Sequence, residues 1–204
     1  MKRYGMLIDL RLCIGCNACT VACKAEHGTQ PEVFWCKVLE KEEGTYPAVK
    51  RLFVPVLCNH CDNPPCEAVC PTEATYKTDE GLVLIDYDKC MGCSACILAC
   101  PYDARTFIEE ERFYFPGTPI PHSVDELRGR KGIVQKCTLC SDRLKRGEEP
   151  ACVEVCPPSC RIFGDLNDPA SAISQALKEN SCFRMLDSLG TNPATYYIQF
   201  NKKC

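Results

Sequence analysis

Apolar positions along this chain fall in short runs separated by turn residues. Met6-Leu7-Ile8 before Asp9 reads as a strand entered almost at the first residue. Leu52-Phe53-Val54-Pro55-Val56-Leu57 is a second apolar strand, and Pro55, with no N–H to give a ladder, places it at an edge. Ala74-Thr75-Tyr76-Lys77 and Leu82-Val83-Leu84-Ile85 flank the turn Thr78-Asp79-Glu80-Gly81 and predict a hairpin. Gly132-Ile133-Val134-Gln135 and Tyr196-Tyr197-Ile198-Gln199-Phe200 predict two further strands. The helical signals are equally brief. Ser94-Ala95-Cys96-Ile97-Leu98-Ala99-Cys100 fits one turn or two, and Ser123 with Glu126 forms a capping box. Asp168 as N-cap with Pro169 at the first position starts a helix running to about Lys178. Glu109-Glu110-Glu111 followed by Pro116-Gly117-Thr118-Pro119-Ile120-Pro121 reads as an irregular surface insertion. No run approaches the roughly 18–20 apolar residues of a membrane span, and no apolar stretch near the N-terminus forms a cleavable signal.

Elements this short leave a small hydrophobic core, and composition shows what replaces it. Apolar residues at 46% and charged residues at 25% are ordinary, but 20 of the 204 residues are cysteine. At about one residue in ten, cysteine chemistry must explain the fold. A formal net charge of −3 excludes the basic field of a nucleic-acid binder. A disulfide scaffold is usually shorter, secreted and led by a signal peptide.

The cysteine spacing separates the remaining readings. Cys90, Cys93, Cys96 and Cys100, followed by Pro101, form the C-x2-C-x2-C-x3-C-P run that holds [4Fe–4S] clusters in bacterial ferredoxins. Cys13, Cys16, Cys19 and Cys23 repeat it with Lys24 in place of the proline. Cys58, Cys61, Cys66 and Cys70 before Pro71 read C-x2-C-x4-C-x3-C-P, and Cys137, Cys140, Cys152 and Cys156 before Pro157 read C-x2-C-x11-C-x3-C-P. Structural zinc takes two separated pairs closed on one ion. Three cysteines within seven residues instead wrap three corners of a cubane, and thiolate is the soft ligand that iron prefers.

In the run Cys90 to Cys100 the fourth cysteine sits at the far end of a helical turn, and Pro101 after it forces extended geometry there. In two-cluster ferredoxins this thiolate ligates the neighbouring cluster. The quartets therefore come in cross-linked pairs. They are separated by 34 residues (24–57), 19 residues (71–89) and 36 residues (101–136). The short inner gap favours a nested arrangement, quartets two and three inside one and four, with sequential pairing as the alternative. The predicted class is α+β: two nested bacterial-ferredoxin-like units of two [4Fe–4S] clusters each, built from short hairpins and short helices. The outer unit takes residues 1–57 and 101–166, the inner unit 58–100, and residues 167–204 form a tail of helix and strand.

Outside the quartets, Cys36, Cys160, Cys182 and Cys204 read as free thiols, with Cys160 closest to a ligand and open to alternative ligation. His60 reads as a hydrogen bonder rather than a ligand, because no Cys-x2-His partner exists for a Rieske site. Trp35 and Tyr46 read as core aromatics. Lys24 is either a solvated lysine or a charge that raises a neighbouring potential, in which case Lys24→Ala lowers one midpoint. There is no G-x-G-x-x-G, no P-loop and little acid–base equipment, so no catalytic residue is assigned.

The four quartets in this order resemble the iron–sulfur (beta) subunits of molybdenum and tungsten oxidoreductases of the dimethyl-sulfoxide-reductase superfamily. The resemblance spans about residues 5–166 and matches all sixteen ligand positions. Cys58-Asn59-His60-Cys61, Pro64-Pro65-Cys66, Lys136-Cys137-Thr138-Leu139-Cys140 and Pro150-Ala151-Cys152-Val153-Glu154-Val155-Cys156-Pro157 carry it most clearly. Glu43-Gly44-Thr45-Tyr46-Pro47 and Gly164-Asp165-Leu166-Asn167-Asp168-Pro169 look similar to beta subunits of polysulfide, thiosulfate and respiratory arsenate reductases, and the first also to a transhydroxylase small subunit. The resemblance implies nested pairing. Cys13, Cys16, Cys19 and Cys156 would hold one cluster, and Cys137, Cys140, Cys152 and Cys23 the next. Cys58, Cys61, Cys66 and Cys100 would hold the third, with Cys90, Cys93, Cys96 and Cys70 on the fourth. It also implies a large catalytic partner carrying molybdenum or tungsten on a bis-pyranopterin guanine dinucleotide. Any membrane anchor or quinol-linked subunit would be another chain. The location would be cytoplasmic, or periplasmic by folded co-export with a signal-bearing partner.

The expected function is electron relay through four clusters, with no chemistry of its own. A free polyferredoxin, or a small subunit of a hydrogenase or formate-hydrogen-lyase assembly, is the nearest rival. A zinc-stabilised interaction protein is the rival from another class.

Overall fold

The computed structural model describes residues 1–112, 114 and 130–199. The Ser123/Glu126 capping box, the proline-rich stretch 116–121, Phe200 and Cys204 lie outside the described residues. In chain order the elements are β1 (Tyr4–Asp9), α1 (Ala18–His27), β2 (Cys36–Glu43), β3 (Lys50–Leu57), α2 (Pro65–Ala68), β4 (Thr75–Lys77), β5 (Val83–Ile85) and α3 (Ala95–Ala99). There follow β6 (Arg105–Ile108), β7 (Ile133–Lys136), α4 (Ser141–Lys145), α5 (Ala151–Glu154), β8 (Arg161–Asp165), α6 (Ala172–Glu179), β9 (Cys182–Phe183) and β10 (Thr195–Ile198).

The apolar run at the N-terminus becomes the inside of a four-stranded sheet ordered β8-β1-β10-β9. β1 is antiparallel to β8 and parallel to β10, with Met6 opposite Thr195 and Phe163. Alternate side chains leave opposite faces of a strand, and here both faces are covered. Leu7 packs with Ile173 of α6 and Ile198, whereas Met6 and Ile8 face the main core with Trp35, Leu57 and Tyr197. A strand buried on both sides reads as a continuous apolar run rather than an alternating one.

The described residues also form three two-stranded ladders: β2–β3, the β4–β5 hairpin and β6–β7. In the first, Pro55 sits opposite Val38, a position that a ladder with no third strand tolerates. The Pro55 carbonyl accepts from the Tyr197 hydroxyl at 3.1 Å, tying this ribbon to β10. Strand β2 escapes sequence reading because its outer half, Glu40-Lys41-Glu42-Glu43, is exposed and shows no alternation. Residues 167–199 supply α6, β9 and β10, and also reach the second quartet. The Ala194 N–H donates to the Asn59 carbonyl at 2.9 Å, and Asp62 and Asn63 N–H donate to the carbonyls of Asn192 and Thr191.

Helix ends follow local chemistry. Helix α3 stops before Cys100, held extended at φ −82°, ψ 112° by Pro101. Helix α1, where Lys24 replaces the proline, runs on to His27 and ends on Gly28 at φ 52°. The expected cap of α6 is corrected by three residues. Ser171 is the N-cap, its Oγ accepting from the Ser174 N–H at 3.2 Å. Asp168 closes the preceding turn, taking the Ala170 N–H on its carboxylate at 2.9 Å and the Ser171 N–H on its carbonyl at 3.1 Å. Both residues are good capping types, and the Asp168-Pro169 pair is spent on the turn. No helix among the described residues is long and apolar enough to cross a membrane.

Candidate metal centres

Two pockets in the 58–100 region are lined by cysteines from two quartets each. Cys58, Cys61, Cys66 and Cys100 border one, and Cys90, Cys93, Cys96 and Cys70 border the other. Thus the first three cysteines of one quartet and the last cysteine of the other share a pocket, in both directions. In the remaining part of the chain Cys23, carried by α1, is flanked by Cys137, Cys140 and Cys152. Helix α1 packs against α5, which carries Cys152. Cys13 and Cys156 both lie beside Cys160, whose sulfur is 3.4 Å from that of Cys156. Cys19 contacts Cys36, and Cys16 is exposed with none of the other fifteen quartet cysteines placed against it by these contacts.

The loops between these cysteines are held in shapes that few residues adopt. Gly15 and Gly92, each preceding the second cysteine of its run, sit at φ 70° and 71°, and Asn17 and Ser94 are left-handed at φ 58° and 61°. A Cβ on Gly92 would stand 2.1 Å from the Gly132 carbonyl oxygen, so this loop and the entry to β7 approach as only glycine allows. Backbone N–H groups turned inward donate to sulfur: Leu139 to Cys137 at 3.3 Å and Thr75 to Cys70 at 3.5 Å.

Burial pushes the Cys61 and Cys140 thiols up to about 12, and raises Cys23, Cys66 and Cys137 as well. Such thiols stay protonated unless a cation takes the proton's place, and the iron of a cluster would do so. The sulfurs of the inner quartets stand around two pockets. The all-thiolate donor set, the inward N–H groups and two unpartnered buried guanidinium nitrogens, Arg105 Nη2 and Arg161 Nε, fit [4Fe–4S] clusters.

Residues outside the quartets take definite places. His60 is buried, and its Nδ1 accepts from the Val83 N–H at 3.0 Å, so the ring proton sits on Nε2. It bonds the β4–β5 hairpin, not a cysteine sulfur. Lys24 is half-buried: its ammonium donates to the Val33 carbonyl at 2.7 Å and the Gln30 carbonyl at 3.1 Å, and lies 4.3 Å from the Phe34 ring centre. Its charge anchors the loop after α1. Trp35 is buried and Tyr46 is 89% exposed, so only the first is a core aromatic. Cys36 and Cys160 are buried, and Cys182 lies on β9.

His27 was not legible as part of the site, although it lies one helical turn after Cys23. Its Nε2 is 3.2 Å from the Cys140 sulfur, and its ring packs on Trp35 with centroids 4.8 Å apart. Burial lowers its pKa and keeps the imidazole neutral. Thr191 is a second such residue, its hydroxyl 2.5 Å from the Tyr102 hydroxyl and in reach of Cys61.

Burial also holds His60 neutral, with Lys136 and Arg105 nearby acting in the same direction. A histidine whose folded pKa is depressed contributes stability above its unfolded value and loses it as pH falls. Below about pH 6.5 the unfolded chain takes up more protons than the folded one, so stability falls as pH falls there. Anaerobic urea midpoints are expected to drop between pH 7.5 and 5, and to drop less in His60→Gln; an equal drop in the variant would contradict the assignment.

Comparison with known proteins gives the family. The 4Fe-4S dicluster domain family matches residues 49–115 and 117–166. The arsenate respiratory reductase iron–sulfur subunit of Shewanella sp. strain ANA-3 is 37% identical over 97% of this chain and 96% of its own length. The selenate reductase B subunit of Mesobacillus selenatarsenatis is 41% identical, covering 96% of this chain and 72% of that protein. The polysulfide reductase B subunit of Wolinella succinogenes is 38% identical over 97% and 94%. Likeness at this level runs well beyond the cysteines, into the sheet and the C-terminal strands, and it makes the chain a member of the iron–sulfur electron-transfer subunits of the dimethyl-sulfoxide-reductase superfamily.

Proposed function

We propose that this chain holds four [4Fe–4S] clusters in a row and relays single electrons between a redox partner and a catalytic subunit that carries molybdenum or tungsten on a bis-pyranopterin guanine dinucleotide. The observation that supports the reading most is the shared lining of the two inner pockets, Cys58, Cys61 and Cys66 with Cys100, and Cys90, Cys93 and Cys96 with Cys70. By the same crossing, Cys13, Cys16 and Cys19 with Cys156, and Cys137, Cys140 and Cys152 with Cys23, are the outer ligand sets. Residues 1–57 with 101–166 and residues 58–100 are then two nested two-cluster units, latched by residues 167–204.

The ends of the row follow from exposure. Cys16 and Cys93 are the two exposed cysteines among those described, one in each terminal set, and Ile14, Val21, Met91 and Leu98 are apolar side chains exposed beside them. The ligands of the two middle sets are buried apart from Cys100. Cys58 and Cys137, from different units, meet in the main core. The clusters supply reversible one-electron storage. The protein spaces them, excludes water and tunes them through N–H···S bonds and charge.

The relatives named as B subunits of reductases support a catalytic partner, and any membrane anchor would belong to a further chain. Location would be cytoplasmic, or periplasmic by export with the partner. The test is anaerobic purification from the native host through a tag on this chain. Co-elution of a large subunit with one molybdenum or tungsten per chain is expected. A brown, iron-loaded chain that elutes alone would favour a polyferredoxin instead.

A smaller effect tests the local tuning. His27→Phe removes one bond to a cluster sulfur, about 1 kcal/mol, or roughly fivefold in the reduction equilibrium of that cluster. An EPR-monitored titration is expected to show one midpoint lowered and three unmoved; four unmoved midpoints would exclude His27 from the tuning.

A further inference from the structure

Two buried arginines occupy matching places in the two halves of the cluster array. Arg105 follows Cys100-Pro101 and Arg161 follows Cys156-Pro157, each five residues after the last cysteine of its quartet and each the first residue of a strand, β6 or β8. Their exposures are 4% and 3%. Among the described residues neither has a carboxylate partner at ion-pair distance. A guanidinium is not buried in this way without a negative group to receive it.

The groups in reach are cysteines of two ligand sets at once. Arg105 borders both inner pockets, and Cys66, Cys96 and Cys58 lie around it. Its Nη1 donates to Thr75 Oγ1 at 3.1 Å, and its Nη2 is buried with no partner. Arg161 has its Nη1 3.7 Å from the Cys152 sulfur and its Nη2 3.2 Å from the Cys36 sulfur. Cys36 in turn contacts Cys19, so this side chain also stands between two sets, with Nε buried and unpartnered.

We propose that Arg105 and Arg161 are positioning cations, one between the two clusters of each unit, each holding up the midpoint potentials of both clusters beside it. The inference rests on the cluster reading above. A cluster gains one negative charge when it takes an electron from its reduced neighbour, which returns to its oxidised charge in the same step. The guanidinium keeps its proton throughout and needs no co-reactant. A cation shared by both clusters stabilises the added charge on either, so it raises both potentials together and leaves the electron little preference between them. The unpartnered nitrogens are the donors that such a charge would meet.

The test is an EPR-monitored redox titration of the purified complex carrying Arg105→Gln, Arg105→Lys, Arg161→Gln or Arg161→Lys, with iron counted in each. With Arg105→Gln, two midpoints are expected to fall by at least tenfold in the reduction equilibrium, 59 mV for a one-electron couple, and the other two by less than threefold. Arg161→Gln is expected to lower the other two. Both Lys variants keep the charge and stay within threefold of wild type. Fully loaded Gln variants with unmoved midpoints, or with all four shifted alike, would overturn the proposal. Loss of iron from both Gln variants would also overturn it, because a cation needed only for assembly is structural. A wild-type chain with fewer than four clusters would instead remove the reading on which the inference rests.

Discussion

Anaerobic removal of iron is expected to unfold this chain. Helices α2 to α5 are four or five residues long, far below the roughly 12–15 at which an isolated helix becomes even marginal in water. Among the described residues three of the four sheets are two-stranded ladders, which are marginal alone. What joins these pieces is the cysteines: α2, α3 and α5 each carry one, and each of the two inner pockets draws its lining from two quartets. Structural zinc contributes on the order of 10–16 kcal/mol in small domains, as large as the whole stability of about 5–15 kcal/mol of an ordinary protein. Four clusters of comparable worth would exceed that total. Stripped by a chelator under reducing, oxygen-free conditions, the chain is expected to lose its cooperative thermal transition and most of its far-UV circular dichroism. Among the described residues, the apolar cluster of Leu7, Ile173 and Ile198 on one face of the sheet β8-β1-β10-β9 includes no quartet cysteine. A metal-free chain that still melts cooperatively at its original temperature would contradict this account.

The second large effect is a pattern of shared losses. Cys58→Ala and Cys100→Ala are expected to abolish the same EPR signal although the residues lie in different quartets, and Cys90→Ala and Cys70→Ala another. Each removes or degrades one cluster, about 4 of 16 iron atoms. The physical reason is the break at proline. Cys100 and Cys70 stand past the end of a short helix and point away from the loop that holds their own first three cysteines, so each lines the neighbouring pocket. Were each quartet self-contained, Cys100→Ala would pair with Cys90→Ala instead. Anaerobic iron assays with EPR of the four single variants decide between the two pairings.

Much of this was legible in the residues. The quartets, the β4–β5 hairpin, the edge character of β3, β1 and the short helix before Cys100 all carry local signals, turns, prolines and ligand spacing, that do not depend on distant neighbours. Strands β2, β6 and β8 were not legible. The first is masked by its charged outer half, and the other two begin with a buried arginine, a residue that sequence rules place outside. The start of α6 was displaced because two capping residues, Asp168 and Ser171, stand three apart and only tertiary contacts choose between them. In the site, the cysteines announced themselves by spacing, whereas His27, Thr191, Arg105 and Arg161 became visible only once folding had carried them to sulfur. The place of Lys24 depends on the loop that follows α1, which folds back over its ammonium.

The most direct test of the central claim is an anaerobic metal count on the chain purified from its native host. Iron, zinc, molybdenum and tungsten should be measured together and expressed per chain. Four cubanes predict about 16 iron and almost no zinc, with one molybdenum or tungsten supplied by the co-purified catalytic subunit. Zinc in place of iron, or an iron content near 8 in fully folded protein, would contradict a four-cluster wire.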